Sequence, residues 1–179
     1  MRLQDRITAT KIRDGDVKTF EAFINQYQDK VFNYCLRLSN NFQIAEELTQ
    51  EVFMKVYQNI NRYDYKKAAL STWLFKIAHN LTLNFLRDNV QPNMDTNLDT
   101  AAFSTSPEDQ YLIKEKYERL LIALQAIPLE GRELILLKDY LGFSCQELAS
   151  IFDIPVGTVK SRLHMLRKRL RELVGDDDE

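Results

Sequence analysis

Residues 144–173 read SCQELASIFDIPVGTVKSRLHMLRKRLREL. Ser144 and Glu147 have the S-x-x-E spacing of a capping box, which opens a short helix whose Leu148, Ile151 and Phe152 can pack inward. Asp153, Ile154 and Pro155 then form a tight turn. Pro near the start suits the next helix, because the first amide of a helix has no partner to lose. That helix reaches about Leu173. At about 100° per residue, Val159, Leu163, Leu166, Leu170 and Leu173 fall on one apolar seam, and the opposite stripe is Gly157, Ser161, His164 and Lys168. The stretch from Leu134 to Leu173 is thus a helix-turn-helix: a short helix, a tight turn and a longer helix with an apolar back and a polar front.

The front has the chemistry of a recognition helix, with donors and one small residue for close approach to the major groove. Val156–Val174 carries Lys160, Arg162, Arg167, Lys168, Arg169 and Arg171 against Glu172 alone, net +5, which is the footprint of a phosphate-binding surface. Residues near the N-terminal end reach base edges and later basic residues meet phosphates. Lys160, Ser161, Arg162 and His164 are base-edge candidates, with Thr158 beside them; Arg167, Lys168 and Arg171 are backbone candidates.

Further upstream, Lys18 to Leu38 places Phe20, Phe23, Ile24, Tyr27, Val31, Tyr34, Cys35 and Leu38 at helical spacing, and Asn40 and Asn41 break it. Ile44 to Ile60 repeats the pattern through Ile44, Leu48, Val52, Val56 and Tyr57. Its acids, Glu46, Glu47 and Glu51, cluster in the first turns, where they suit the helix dipole. Asn61 to Ala69 has no seam and reads as a loop, before Ser71 or Thr72 caps a helix to about Arg87. There Leu74, Ile77, Ala78, Leu81 and Phe85 form the expected buried arc, while Lys76, Asn80, Asn84 and Arg87 line another, with Trp73 at the border. Amides, cations and an indole in one stripe suit single-stranded DNA; Trp73 reads equally well as a core residue.

Between Asn89 and Glu108 periodicity is lost and Asn, Asp, Thr, Ser and Pro dominate; Gln91–Gln110 holds four acids and no base. A tract of that kind links domains more readily than it fits inside one. The sequence therefore predicts an all-α protein of two small helical domains, residues 1–90 and 109–179, joined by a flexible linker at 91–108. The second domain resumes with a helix over Tyr111 to Ile127, stopped by Pro128, and another over Gly131 to Tyr140.

Composition narrows the function classes. With 45% apolar and 28% charged residues the chain is a folded, helix-rich protein. Cys35 and Cys145 stand far apart and His79 and His164 are isolated, so neither a disulfide framework nor a metal site is expected, and no cofactor. No apolar run reaches the ~18 residues of a membrane span and no secretory h-region is present, which predicts a cytoplasmic protein without membrane insertion. No Walker sequence, G-x-S-x-G or H-E-x-x-H occurs, and the reading is non-enzymatic.

With ELASIFDIPVGTVKSRLHMLRKRL (147–170) in place, and EELTQEVFMKVYQNI (46–60) and STWLFKIAHNLTLNFLR (71–87) upstream in that order, the chain resembles the extracytoplasmic-function class of sigma-70-family transcription-initiation factors. The likeness spans nearly the whole chain. It implies two helical domains, region 2 and region 4 with its helix-turn-helix, and partners in promoter DNA, the clamp helices and flap of core RNA polymerase, and an anti-sigma factor. Glu47, Gln50 and Glu51 inherit the clamp-helix contact. The loop and helix over Asn61–Arg87 inherit capture of the minus-10 element, with Asn61, Arg62, Tyr63 and Lys66 as candidates for cupping a flipped base and Trp73, Lys76, Asn80, Asn84 and Arg87 beside them. The recognition helix inherits the minus-35 duplex. Where many relatives carry an Arg after the position of His164, this chain has Met165 and Leu166.

Overall fold

The computed structural model describes residues 2–89, 122–124 and 126–174, and every regular element among them is helical. The predicted linker and most of the helix expected over Tyr111 to Ile127 lie outside the described residues. In chain order the elements are α1 (Arg2–Arg13), α2 (Val17–Ser39), α3 (Phe42–Asn59), a 3-10 turn (Ile60–Arg62), α4 (Leu70–Asn89), α5 (Leu129–Ile135) continued by a π-helical turn (Leu136–Tyr140), α6 (Cys145–Phe152) and α7 (Val156–Val174). Two compact units result. The first holds α1 to α4 with Gln146–Ile154, and the second holds the described residues 122–124, 126–145 and 155–174.

In the first unit the helix boundaries follow side-chain caps. Asp16 takes the N–H of Thr19 at 3.1 Å and the Thr19 hydroxyl at 2.7 Å, which starts α2. Asn40, left-handed at φ 52°, ends α2, and Asn41 accepts from the N–H of Ile44 to begin α3. The expected Asn-Asn break is therefore a C-cap followed at once by an N-cap. The core is built from Val31, Tyr34 and Cys35 of α2, Ala45, Leu48, Val52 and Val56 of α3, and Leu74, Phe75, Ala78 and Thr82 of α4. Tyr34 and Phe75 meet edge to face at 5.7 Å.

Two elements differ from the sequence expectation. Helix α1 was not anticipated, because its only buried apolar side chains are Ala9 and Ile12, too few to show as a stripe. On α4, Ile77, Leu81 and Phe85 are only half-buried, and the fully buried set adds Leu70, Thr72, Phe75, Thr82, Leu83 and Leu86. The reason is that α4 packs on both α2 and α3, which needs a wider buried arc than one apolar seam supplies. Thr82 fits there because its hydroxyl lies 3.6 Å from the Cys35 sulfur. The start of α4 also moves: the helix begins at Leu70, whose N–H donates to the Asp5 carboxylate of α1 at 3.2 Å, so the cap comes from 65 residues away and not from Ser71 or Thr72.

In the second unit Pro128 precedes α5, and Ile127, Leu134, Leu137, Val159 and Leu163 are buried. Gly131 permits the close approach of α7 to α5. A Cβ there sits 2.7 Å from a methyl of Ile127 and 2.8 Å from a methyl of Leu166.

Candidate nucleic-acid and polymerase interfaces

Helix α7 owes its orientation to Val159 and Leu163, which are buried, with Leu166 and Leu170 half-buried behind them. Leu173, at the end of the predicted seam, is exposed. The opposite stripe is open: Gly157, Ser161, His164 and Lys168 all face solvent, as do Lys160, Arg162 and Arg171, while Thr158 is half-buried. The Ser161 hydroxyl donates to the Thr158 carbonyl at 3.1 Å, which holds it close to the helix surface until a better acceptor arrives. Arg167 is ion-paired with Asp139 at 2.5 Å, and Lys168 lies 3.9 Å from Glu172 one turn on. Both pairs are exposed, and such pairs are worth about 1 kcal/mol or less, so phosphates can displace either carboxylate. The turn before α7 uses Asp153 at φ 53°, a left-handed position that Asp tolerates better than most residues.

In the first unit, the stripe of α4 is also in place. Asn80, Asn84 and Arg87 are exposed, and Trp73 and Lys76 are half-buried. The ambiguity over Trp73 resolves geometrically: its indole lies 5.4 Å from the ring of Tyr63 and stays partly exposed, so it is neither wholly core nor wholly surface. Tyr63 is buried beneath it, with its hydroxyl donating to the Ala68 carbonyl at 3.0 Å. Asn61, Arg62 and Lys66 are exposed around this pair. Lys76 pairs with Asp153 at 2.5 Å, and the Thr72 hydroxyl lies 3.3 Å from the Glu147 carboxylate.

On α3, Glu47 and Gln50 are exposed and Glu51 half-buried. The same face carries Met54, 55% exposed, one turn beyond Gln50. Sequence reasoning passed over Met54, although its spacing of four from Gln50 and seven from Glu47 is the signal that places it on the acidic face.

A helical chain carrying a helix-turn-helix in α6 and α7 and an amide, cation and indole stripe on α4 is by class a DNA-recognition protein. Comparison with known proteins gives the family. The model for sigma-70 region 2 matches residues 23–91 and that for sigma-70 region 4 matches residues 117–170. The chain is 32% identical to the ECF RNA polymerase sigma factor SigW of Bacillus subtilis, over 97% of this chain and 99% of that one. It is 28% identical to the ECF RNA polymerase sigma-E factor of Escherichia coli, over 94% and 93% of the two chains. Among solved structures, the sigma factor RpoE of Bartonella quintana, in complex with the anti-sigma factor NepR, shares the fold at a TM-score of 0.70 and 24% identity, covering 90% of this chain and 99% of that one. This chain belongs to the extracytoplasmic-function class of the sigma-70 family, and is a transcription-initiation factor that directs core RNA polymerase to promoters by minus-35 and minus-10 recognition.

Proposed function

We propose that the two DNA contacts are divided between named surfaces. Region 2, taken as residues 1–90, captures the minus-10 strand through Trp73, Lys76, Asn80, Asn84 and Arg87, with Asn61, Arg62 and Lys66 at the rim and Tyr63 supporting Trp73 from below. Region 4, taken as 109–179, grips the minus-35 duplex, with Lys160, Ser161, Arg162 and His164 at base edges, Thr158 beside them, and Arg167, Lys168 and Arg171 on phosphates. Residues 91–108 tether the two. Glu47, Gln50 and Glu51, joined by Met54, meet the polymerase clamp helices, and region 4 meets the flap.

The observation that carries this reading is the two-faced packing of α7, buried at Val159 and Leu163 and open along Gly157, Ser161, His164 and Lys168. The factor contributes binding energy, and the polymerase does the chemistry. Trapping unstacked bases offsets the few kcal/mol that unpairing each one costs. Lys76 reaches a phosphate by exchanging Asp153 for it, a small cost because the Asp153 carboxylate is open to solvent and Lys76 is only half-buried. No helix among the described residues is long and apolar enough to cross a membrane; the place of action is the cytoplasm, where polymerase is. An anti-sigma factor is the expected regulator, by analogy with the Bartonella complex. The test is transcription by purified core polymerase with this protein over a randomised promoter library. Selective initiation that changes its minus-35 consensus in Arg162→Ala and its minus-10 consensus in Asn80→Ala supports the division; initiation with no promoter preference sinks it.

A further inference from the structure

Met165 is the apolar side chain of α7 most open to solvent, 66% exposed against 45% for Leu173 in the last turn. At about 100° per residue it stands roughly 120° round the helix from the middle of the Val159, Leu163, Leu166 and Leu170 seam, too far to share that packing. It lies instead on the edge of the open stripe, about 40° from Ser161 and one turn beyond it. A single exposed apolar side chain is ordinary on a protein surface; what singles this one out is its neighbours. Arg162 and Arg169, three residues before it and four after, are exposed beside it, in the run of cations that faces DNA. One turn back is the Ser161 hydroxyl, which donates to the Thr158 carbonyl at 3.1 Å and can swing outward by rotation about a single bond.

In the major groove a thymine presents an acceptor oxygen, O4, beside an apolar C5 methyl, and no other standard base offers that pair. A hydroxyl donor and a thioether one helical turn apart are the complement of such an edge. Methionine is unbranched with three rotatable bonds, so its terminal methyl can follow a small apolar target without moving the backbone. We propose that Met165 is a specificity-determining residue of region 4, packing its thioether on the C5 methyl of one thymine in the minus-35 duplex while Ser161 donates to O4 of the same base. The inference rests on region 4 gripping that duplex, and adds the base and the group on it that this chain reads. The flanking Arg162 and Arg169 keep the helix against the phosphates, and Met165 itself carries no charge to spend on them.

The test uses holoenzyme of the full chain with core polymerase to select duplexes from a pool randomised at the minus-35 element, in parallel for the parent, Met165→Ala and Met165→Gln. The parent should prefer thymine at one position where both variants do not. Replacing that thymine by deoxyuridine removes the methyl alone. It should weaken binding by the parent about fourfold, the worth of one buried carbon, and leave binding by Met165→Ala unchanged. Ser161→Ala should weaken binding to the thymine and deoxyuridine duplexes alike, since both keep O4. The slope of log K against log salt should be the same for the parent and Met165→Ala, whereas Met165→Arg should steepen it by about 0.9 and lose the discrimination between thymine and deoxyuridine. A parent that binds thymine and deoxyuridine equally at every minus-35 position overturns the proposal, and so does a Met165→Ala that keeps the fourfold difference. Weaker assembly of Met165→Ala with core polymerase in the absence of DNA, with the thymine preference kept, assigns the side chain to the polymerase and also overturns it. Arg167→Ala with Lys168→Ala separates the inference from the reading beneath it. If that variant keeps parental affinity and salt slope on the minus-35 duplex, the minus-35 reading fails and the proposal falls with it. If it loses affinity while the Met165 variants discriminate as the parent does, the reading stands and the proposal alone fails.

Discussion

A methyl group placed on Gly157 meets nothing within 4 Å in the folded chain, and the backbone there is ordinary helix. Gly157→Ala should therefore leave the fold intact, and even gain about 1 kcal/mol of helix propensity, while obstructing close approach to the groove. A raised melting temperature together with weaker minus-35 binding is the expected pair of results; unchanged binding places Gly157 away from DNA. Gly131 is the opposite case, since a Cβ there already crowds Ile127 and Leu166. Gly131→Val should cost about 1–3 kcal/mol of stability, read by denaturant unfolding. Cys35 supplies a pH dependence. Burial pushes its thiol up to about 11 from the ordinary 9.0, against weaker opposing contacts from Thr82 and Thr49. A raised thiol contributes stability that is complete below pH 9.0 and is lost as pH rises through about 11. Unfolding midpoints of Cys35→Ala should decline less over that window than those of the parent chain, and at pH 8 alkylation should label half-buried Cys145 well before Cys35.

At the level of elements, what periodicity can express was legible and what long-range contact decides was not. The orientation of α7 was readable because one face is apolar and the other is not: four of the five predicted seam positions, Val159, Leu163, Leu166 and Leu170, are buried or half-buried, and only Leu173 is exposed. The α4 stripe was readable for the same reason, although Phe75, Leu83 and Leu86 were missed, because a helix wedged between two others hides its second seam. Helix α1 was invisible: two buried side chains make no pattern, and its importance lies in a carboxylate reaching across 65 residues of sequence. Met54 was overlooked for another reason, since a methionine inside an amphipathic helix reads as core until its exposure is known. Met54→Ala should weaken association with core polymerase more than Glu46→Ala, with the stability of the isolated chain unchanged within about 0.5 kcal/mol. Equal affinities in a pull-down titration place the polymerase contact elsewhere.

For the molecule as a whole, the proposal is of two binding surfaces acting on the same promoter, and linked surfaces multiply their effects. Substituting Arg162 on α7 and Asn80 on α4 singly should each lower open-complex formation, the first mainly at promoters that carry the preferred minus-35 bases and the second mainly on duplex templates that must be opened. A premelted template should rescue neither minus-35 selectivity nor the Arg162→Ala defect in binding. The two-domain plan was read from a tract of Asn, Asp, Ser and Thr without periodicity, which is a compositional signal; how the stretch Gln146–Ile154 joins the first unit has no such signal, because it depends on side chains such as Lys76 and Asp153 meeting far apart in sequence.

The bond between Asp5 and the first amide of α4 carries a lesson for genetics. A selection for lost promoter use should return alleles at Asp5 as well as at DNA-facing positions, since an uncapped α4 presents its stripe from a frayed first turn. Such alleles should impair all promoters alike. Asp5→Asn, which keeps an oxygen to receive the Leu70 N–H, should pass the selection where Asp5→Ala does not, and second-site revertants should cluster near Leu70 instead of on the promoter.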